Sequence, residues 1–103
     1  MRLTEAERHA VQAACKEHWP DGSRVSLFGS RTDDSARGGD VDLLVEIPHP
    51  LSPAEVVNRR SRFVARLQSL TEERRIDVVV TELGSADDRP VVRQARQQAQ
   101  ALS

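Results

Sequence analysis

Apolar residues recur at helical spacing near the start of the chain, at Leu3, Ala6, Ala10, Val11, Ala14 and Cys15, and predict a first helix over Leu3 to Trp19. Thr4 followed by Glu7 has the form of a capping box, and Trp19-Pro20-Asp21-Gly22-Ser23 is strong turn chemistry. The period then changes. Arg24 to Phe28 predicts one strand, Asp40 to Glu46 a second and Arg74 to Val80 a third, each a short run of β-branched and apolar residues. Between the second and third strands, Ile47-Pro48-His49-Pro50-Leu51 is an extended connection, because each proline restricts its predecessor. Ser52-Pro53-Ala54-Glu55 then opens a helix with a serine cap, proline in the first turn and a glutamate to reach back. Its expected apolar stripe is Val56, Val57, Phe63, Val64, Leu67 and Leu70. A last helix begins at Asp87-Asp88 and Pro90 with a weaker stripe of Val91, Val92, Ala95, Ala99 and Leu102, its glutamine-rich end expected as helical surface or tail.

Composition narrows this picture without redirecting it. The 103 residues, 38% hydrophobic and 30% charged, suit one domain over 1–103 with a single core and no separate substrate domain. Fifteen basic and sixteen acidic residues leave a net charge of −1, which is not the excess expected of a chain that grips a nucleic-acid backbone. One cysteine excludes an internal disulfide. Cys15 falls on the apolar face of the first helix and is expected in the core rather than on zinc with His9 and His18. No signal peptide or long apolar span is visible, so a cytoplasmic protein without membrane contact is the expectation.

The candidate chemistry lies where apolar runs stop and start. Phe28 is followed by Gly29-Ser30, then by nine polar and glycine-rich residues from Arg31 to Gly39, then by Asp40-Val41-Asp42. Side chains alternate along a strand, so Asp40 and Asp42 share a face about 6.6 Å apart. Hard oxygen donors so spaced suit magnesium, which divides its coordination between carboxylates, water and phosphate. Gly29 permits close backbone approach to a phosphate, the Ser30 hydroxyl donates to its oxygens, and Arg31 follows directly as a neutralising charge. A third carboxylate, Asp77, stands in the run Ile76-Asp77-Val78-Val79-Val80, where it needs either an arginine such as Arg74 or Arg75 or a metal. Taken with the other two acids, the metal role is preferred.

From roughly Val25 to Val80, this order of Gly-Ser, then Asp-hydrophobic-Asp in a strand, then a lone Asp in a later strand resembles the minimal nucleotidyltransferase (MNT) group of the DNA polymerase beta-like nucleotidyltransferase superfamily. The resemblance implies an α+β two-layer fold, a small mixed sheet with antiparallel pairs and helices packed on one face. It implies that Gly29 and Ser30 hold the triphosphate of a nucleotide. Asp40 and Asp42 would hold two magnesium ions, and Asp77 would complete one metal site and help activate the attacking hydroxyl. Many members have ten residues between the Ser and the first Asp, where this chain has nine.

The same resemblance implies an activity and a partner. Proteins of this kind move a nucleoside monophosphate, here AMP from ATP, to an acceptor hydroxyl, and many neutralise a HEPN-type toxin as the antitoxin of a pair. The chain has no tyrosine, so a tyrosine acceptor would belong to the partner. A catalytically idle module that neutralises its partner by contact alone is the alternative, disfavoured by the presence of all three acids. Self-association stays open. An aromatic content of 3% and a balanced charge argue against nucleic-acid polymerisation.

Overall fold

A computed structural model describes residues 4–28, 41–70 and 75–102. Among them the element order is α1 (Glu5–His18), β1 (Arg24–Phe28), β2 (Val41–Ile47), α2 (Pro53–Leu70), β3 (Ile76–Glu82), α3 (Pro90–Gln98) and β4 (Gln100–Ala101). The strands form one sheet in the order β3-β2-β1-β4. β1 runs antiparallel to both β2 and β4, while β2 and β3 are parallel, joined by α2 as a crossover. The sheet is therefore mixed, and the architecture α+β, as the resemblance implied.

Alternation along β2 sorts the two faces. Val41, Leu43, Val45 and Ile47 join Val25, Leu27, Ile76 and Val78 on one face, beneath Val11, Ala14 and Cys15 of α1 and Phe63 and Leu67 of α2. Trp19 closes the end of this core, packed edge-on to Phe63 with ring centroids 5.9 Å apart, a contact that adds about 1 kcal/mol beyond its area. Cys15 is buried there, and burial pushes its thiol pKa up, which suits packing rather than reactivity.

The opposite face carries α3, so the helices do not all share one side. Ala95 packs on Phe28 and Leu44, with Val79 beside them. The alternating positions of β1, β2 and β3 present apolar side chains to both faces, and a second layer is needed to cover them.

The helix starts largely follow the sequence. Thr4 and Glu7 form a full capping box. Ser52 caps α2 by accepting from the Glu55 amide at 3.2 Å, but the Glu55 side chain does not reach back; it bonds Arg59 at 2.9 Å instead. Val57 and Leu70, expected in the apolar stripe, are 51% and 44% exposed, since only one side of α2 meets the sheet. The C-terminal expectation also needs correction. The helix stops at Gln98, Gln100–Ala101 pairs with β1, and Leu102 enters the core, its amide donating to the Val25 carbonyl at 3.0 Å. Burying Leu102 against α1 requires the chain to leave the helix, and the Gln12 side-chain amide, which donates to the Leu102 carbonyl, fixes the exit.

Candidate active site

Strand register brings two of the expected acids together. Asp42 lies opposite Asp77 across the parallel β2–β3 pair, and opposite Phe28, the last residue of β1, across the antiparallel pair. Registered residues on adjacent strands point to the same face, with backbones about 4.8 Å apart. Asp42 and Asp77 are thus neighbours on the α3-bearing face, at the end of the sheet where β1 finishes and β2 and β3 begin. Asp42 is half-buried and Asp77 exposed.

The exposure of Asp77 removes the premise that burial in its apolar run requires an arginine or a metal as partner. Ile76 and Val78 turn into the core, while Asp77 alternates outward. Among the described residues no hydrogen bond or ion pair engages its carboxylate, so Arg75 does not pair with it. Arg74 is outside the described residues, as are Gly29, Ser30, Arg31 and Asp40. In sequence Gly29 follows Phe28 and Asp40 precedes Val41, the two residues that flank the acidic row. Among the described residues alone no group of three or more His, Cys, Asp or Glu could hold a metal, so the expected set depends on Asp40. Two adjacent carboxylates on one open face are nonetheless the donor chemistry that a hard divalent cation takes.

The covered part of the same face is built differently. Glu46 is paired with Arg96 of α3 at 3.4 Å. Thr81, buried on β3, donates to Asp87 at 2.7 Å, and Arg89 binds Asp87 at 2.8 Å. The Arg89 hydrogen bond, then the Thr81 one, hold the Asp87 carboxyl well below the usual carboxylate range. Arg89 also donates to the Val80 carbonyl at 2.8 Å, and Arg96 to the Glu82 and Ser85 carbonyls at 3.1 and 2.7 Å. The sequence reading assigned neither arginine a role. A charged residue one position before the helix-starting Pro90 was the available signal for Arg89.

His49 and His9 lie on other segments than the acidic row. His49 is exposed between its prolines, and His9 stands beside Glu5 on the exposed side of α1 at 3.5 Å. A cleft of about 440 Å³ does adjoin Asp77, between α2 and the start of β3, lined by Arg60, Ser61, Val64, Ala65, Gln68, Ile76, Asp77 and Val78.

The family profile described as nucleotidyltransferase domain matches residues 10–101. Comparison with curated proteins gave no match. Among solved structures, the fold is similar to a chain of a toxin–antitoxin structure with AMP-PNP, at a TM-score of 0.65 and 22% identity over 93% of this chain and 72% of that one. It is similar, at 0.65 and 20% identity over 98% and 72%, to a chain of the tri-AMPylated Shewanella oneidensis HEPN toxin in complex with MNT antitoxin. A mutant of the toxin–antitoxin MntA-HpeT gives 0.65 and 20% over 93% and 71%.

Proposed function

The chain belongs to the nucleotidyltransferase domain family, and from that premise we propose that it transfers AMP from ATP to a hydroxyl on a HEPN-type partner, as the antitoxin of a toxin–antitoxin pair. The observation that carries this reading is the Asp42–Asp77 register on the open end of the sheet. Like charges side by side repel, and a site that keeps them so is suited to cations.

In this reading Asp42 and Asp77, joined by Asp40, hold magnesium. When bound, two such ions neutralise the triphosphate and favour ionisation of the acceptor hydroxyl. Gly29 and Ser30 bind the phosphates and Arg31 balances their charge. The acceptor oxygen forms a bond to the α-phosphorus, the bond from that phosphorus to the bridging oxygen breaks, and pyrophosphate departs with the electron pair. The hydroxyl proton passes to Asp77, which is exposed and unpartnered among the described residues. The absence of tyrosine from the chain removes self-modification of that residue type and leaves the partner as the source of a tyrosine acceptor. The similar S. oneidensis complex, whose toxin is tri-AMPylated, supports the choice of partner and of nucleotide. Among the described residues no helix is long and apolar enough to cross a membrane.

The test is the intact mass of a HEPN partner encoded beside this chain, after incubation with ATP and magnesium. A gain of one or more AMP units, lost with a chelator and with Asp42→Asn, is the expected result. A stable complex without any gain would replace transfer by neutralisation through contact alone.

A further inference from the structure

β3 is the last strand of the sheet, and among the described residues only half of its outer edge is closed. The Val41 amide donates to the Arg75 carbonyl at 2.8 Å and the Leu83 amide to the Ile47 carbonyl at 2.7 Å, so odd-numbered residues from 75 to 83 turn their backbone groups toward β2. The even-numbered ones turn outward. Of these, Val80 gives its carbonyl to Arg89, and Glu82 gives its carbonyl to Arg96 and the Ser85 amide. Among the described residues no partner meets the outward groups of Ile76 and Val78. An unpaired strand edge is a template for another strand. Here the template is two arginine clasps shorter than the strand, and its open part flanks Asp77.

The open part also forms one wall of the cleft of about 440 Å³ whose other wall is α2. Within α2, Arg59 is paired with Glu55 and Arg66 with Glu17, whereas Arg60, on the cleft, has no partner among the described residues. Exposed Arg75 adds a second positive charge just before the edge. A strand edge beside a helix, with unneutralised arginine in the groove, fits an extended peptide that carries a carboxylate.

We infer that an extended acidic segment of the partner protein adds to β3 at Ile76–Val78 and so presents its acceptor hydroxyl to Asp77. This rests on the transfer reading above and names how the acceptor arrives. A strand laid about 4.8 Å outside β3 places one residue opposite Asp77, with its side chain on the same face as that carboxylate. The residues before and after it point to the other face, into the cleft with Arg60, Val64 and Gln68. The acceptor segment thus reads as a hydroxyl residue with an acidic or apolar residue on each side. The clasps at Val80 and Glu82 fix the register, because a longer added strand would have to displace them.

The experiment is residue-resolved amide hydrogen exchange on this chain, alone and in complex with the HEPN partner, followed by the same measurement with overlapping synthetic peptides of that partner. The Ile76 and Val78 amides should exchange rapidly in the free chain and slow on the order of tenfold or more on binding the partner and one peptide. Arg60→Glu should lower the AMP-modified fraction of the partner on the order of tenfold, while Arg62→Glu, in a separate cleft with Glu17 and Glu55, should leave it unchanged. Normal AMP gain with Ile76 and Val78 still unprotected would overturn the docking mode and leave the transfer reading standing. Protection that grows with concentration in the chain alone would overturn it in favour of a second copy on this edge. Protection by the partner without AMP gain would uphold the docking and sink the transfer.

Discussion

The face of the sheet beneath α3 has two halves that treat acids in opposite ways. Over Leu44, Val79, Glu46 and Thr81 the helix is seated, and its acids have partners: Glu46 has Arg96, and Asp87 has Arg89 and Thr81. At the other end, Asp42 and Asp77 stand side by side, and Asp77 has no partner among the described residues. A helix of nine residues is about 13.5 Å long and covers part of the face only. The contrast separates Glu46 and Asp87, which Arg96 and Arg89 clasp, from Asp77, which nothing clasps among the described residues. Electrostatics that stabilise a fold are satisfied within it, and a carboxylate left over on an open strand end is available for a ligand.

The largest expected effect comes from the open half. Asp77→Asn or Asp42→Asn should reduce AMP transfer by about a thousandfold or more, since each removes a charge that the transfer reading assigns to metal and acceptor. Asp77→Asn should leave unfolding free energy within about 0.5 kcal/mol, as for other exposed positions. Full transfer in both variants, read by partner mass, would remove the acidic row from the chemistry. The covered half should respond in the reverse sense. Leu44→Ala deletes a fully buried side chain and should cost about 2–5 kcal/mol in denaturant unfolding, with transfer retained in the molecules still folded. A smaller loss would mean that α3 is seated less firmly than its packing indicates.

Much of this contrast was legible in the sequence, for definable reasons. The strand β1 and the start of α2 follow from local pattern, because Pro20-Asp21-Gly22 and Ser52-Pro53 punctuate the chain unambiguously. Asp42 and Asp77 were candidates from type and strand context, but their adjacency depends on the parallel register of β2 and β3, which periodicity does not encode. The exchange of the last helical turn for β4 was illegible for a related reason. Leu102 fits a helical stripe with Val92, Ala95 and Ala99 as well as it fits a strand end, and only the tertiary environment of Val25 and Gln12 decides. Arg89 and Arg96 were assigned no role, since the β3 carbonyls they clasp lie nine and fourteen residues before them, on a different element. Gly29, Ser30, Arg31 and Asp40 carry the phosphate and metal roles as proposals, on the strength of their motif.

A pH titration sharpens the covered half further. Asp87 has a folded-state pKa below its unfolded value, chiefly through the Arg89 hydrogen bond. The folded state therefore binds that proton less readily, and the stabilisation is full above the unfolded value of about 4 and falls away as the pH drops below it. Asp87→Asn should lower the melting temperature at neutral pH and flatten its decline below about pH 4. An unaltered acid slope in this variant would show that Asp87 does not fasten the start of α3 to β3.

The smallest effect is expected on the outer side of α2. Val57 was expected on the apolar stripe with Val56, Phe63 and Leu67, yet it is 51% exposed while Phe63 and Leu67 are fully buried. The helical lattice accounts for this. Val56 and Phe63 are seven residues apart and share a side of the helix, whereas Val57 lies about 100° further round. Burial on α2 is set by angle toward the sheet, and a run of two valines can satisfy only one of them. Val57→Ser should thus change the unfolding free energy by no more than about 0.5 kcal/mol, measured beside Phe63→Ala, for which about 3–5 kcal/mol is expected. A loss from Val57→Ser that approached the Phe63 value would mean that α2 is covered on both sides. The division between a buried side and an open side would then no longer describe this helix.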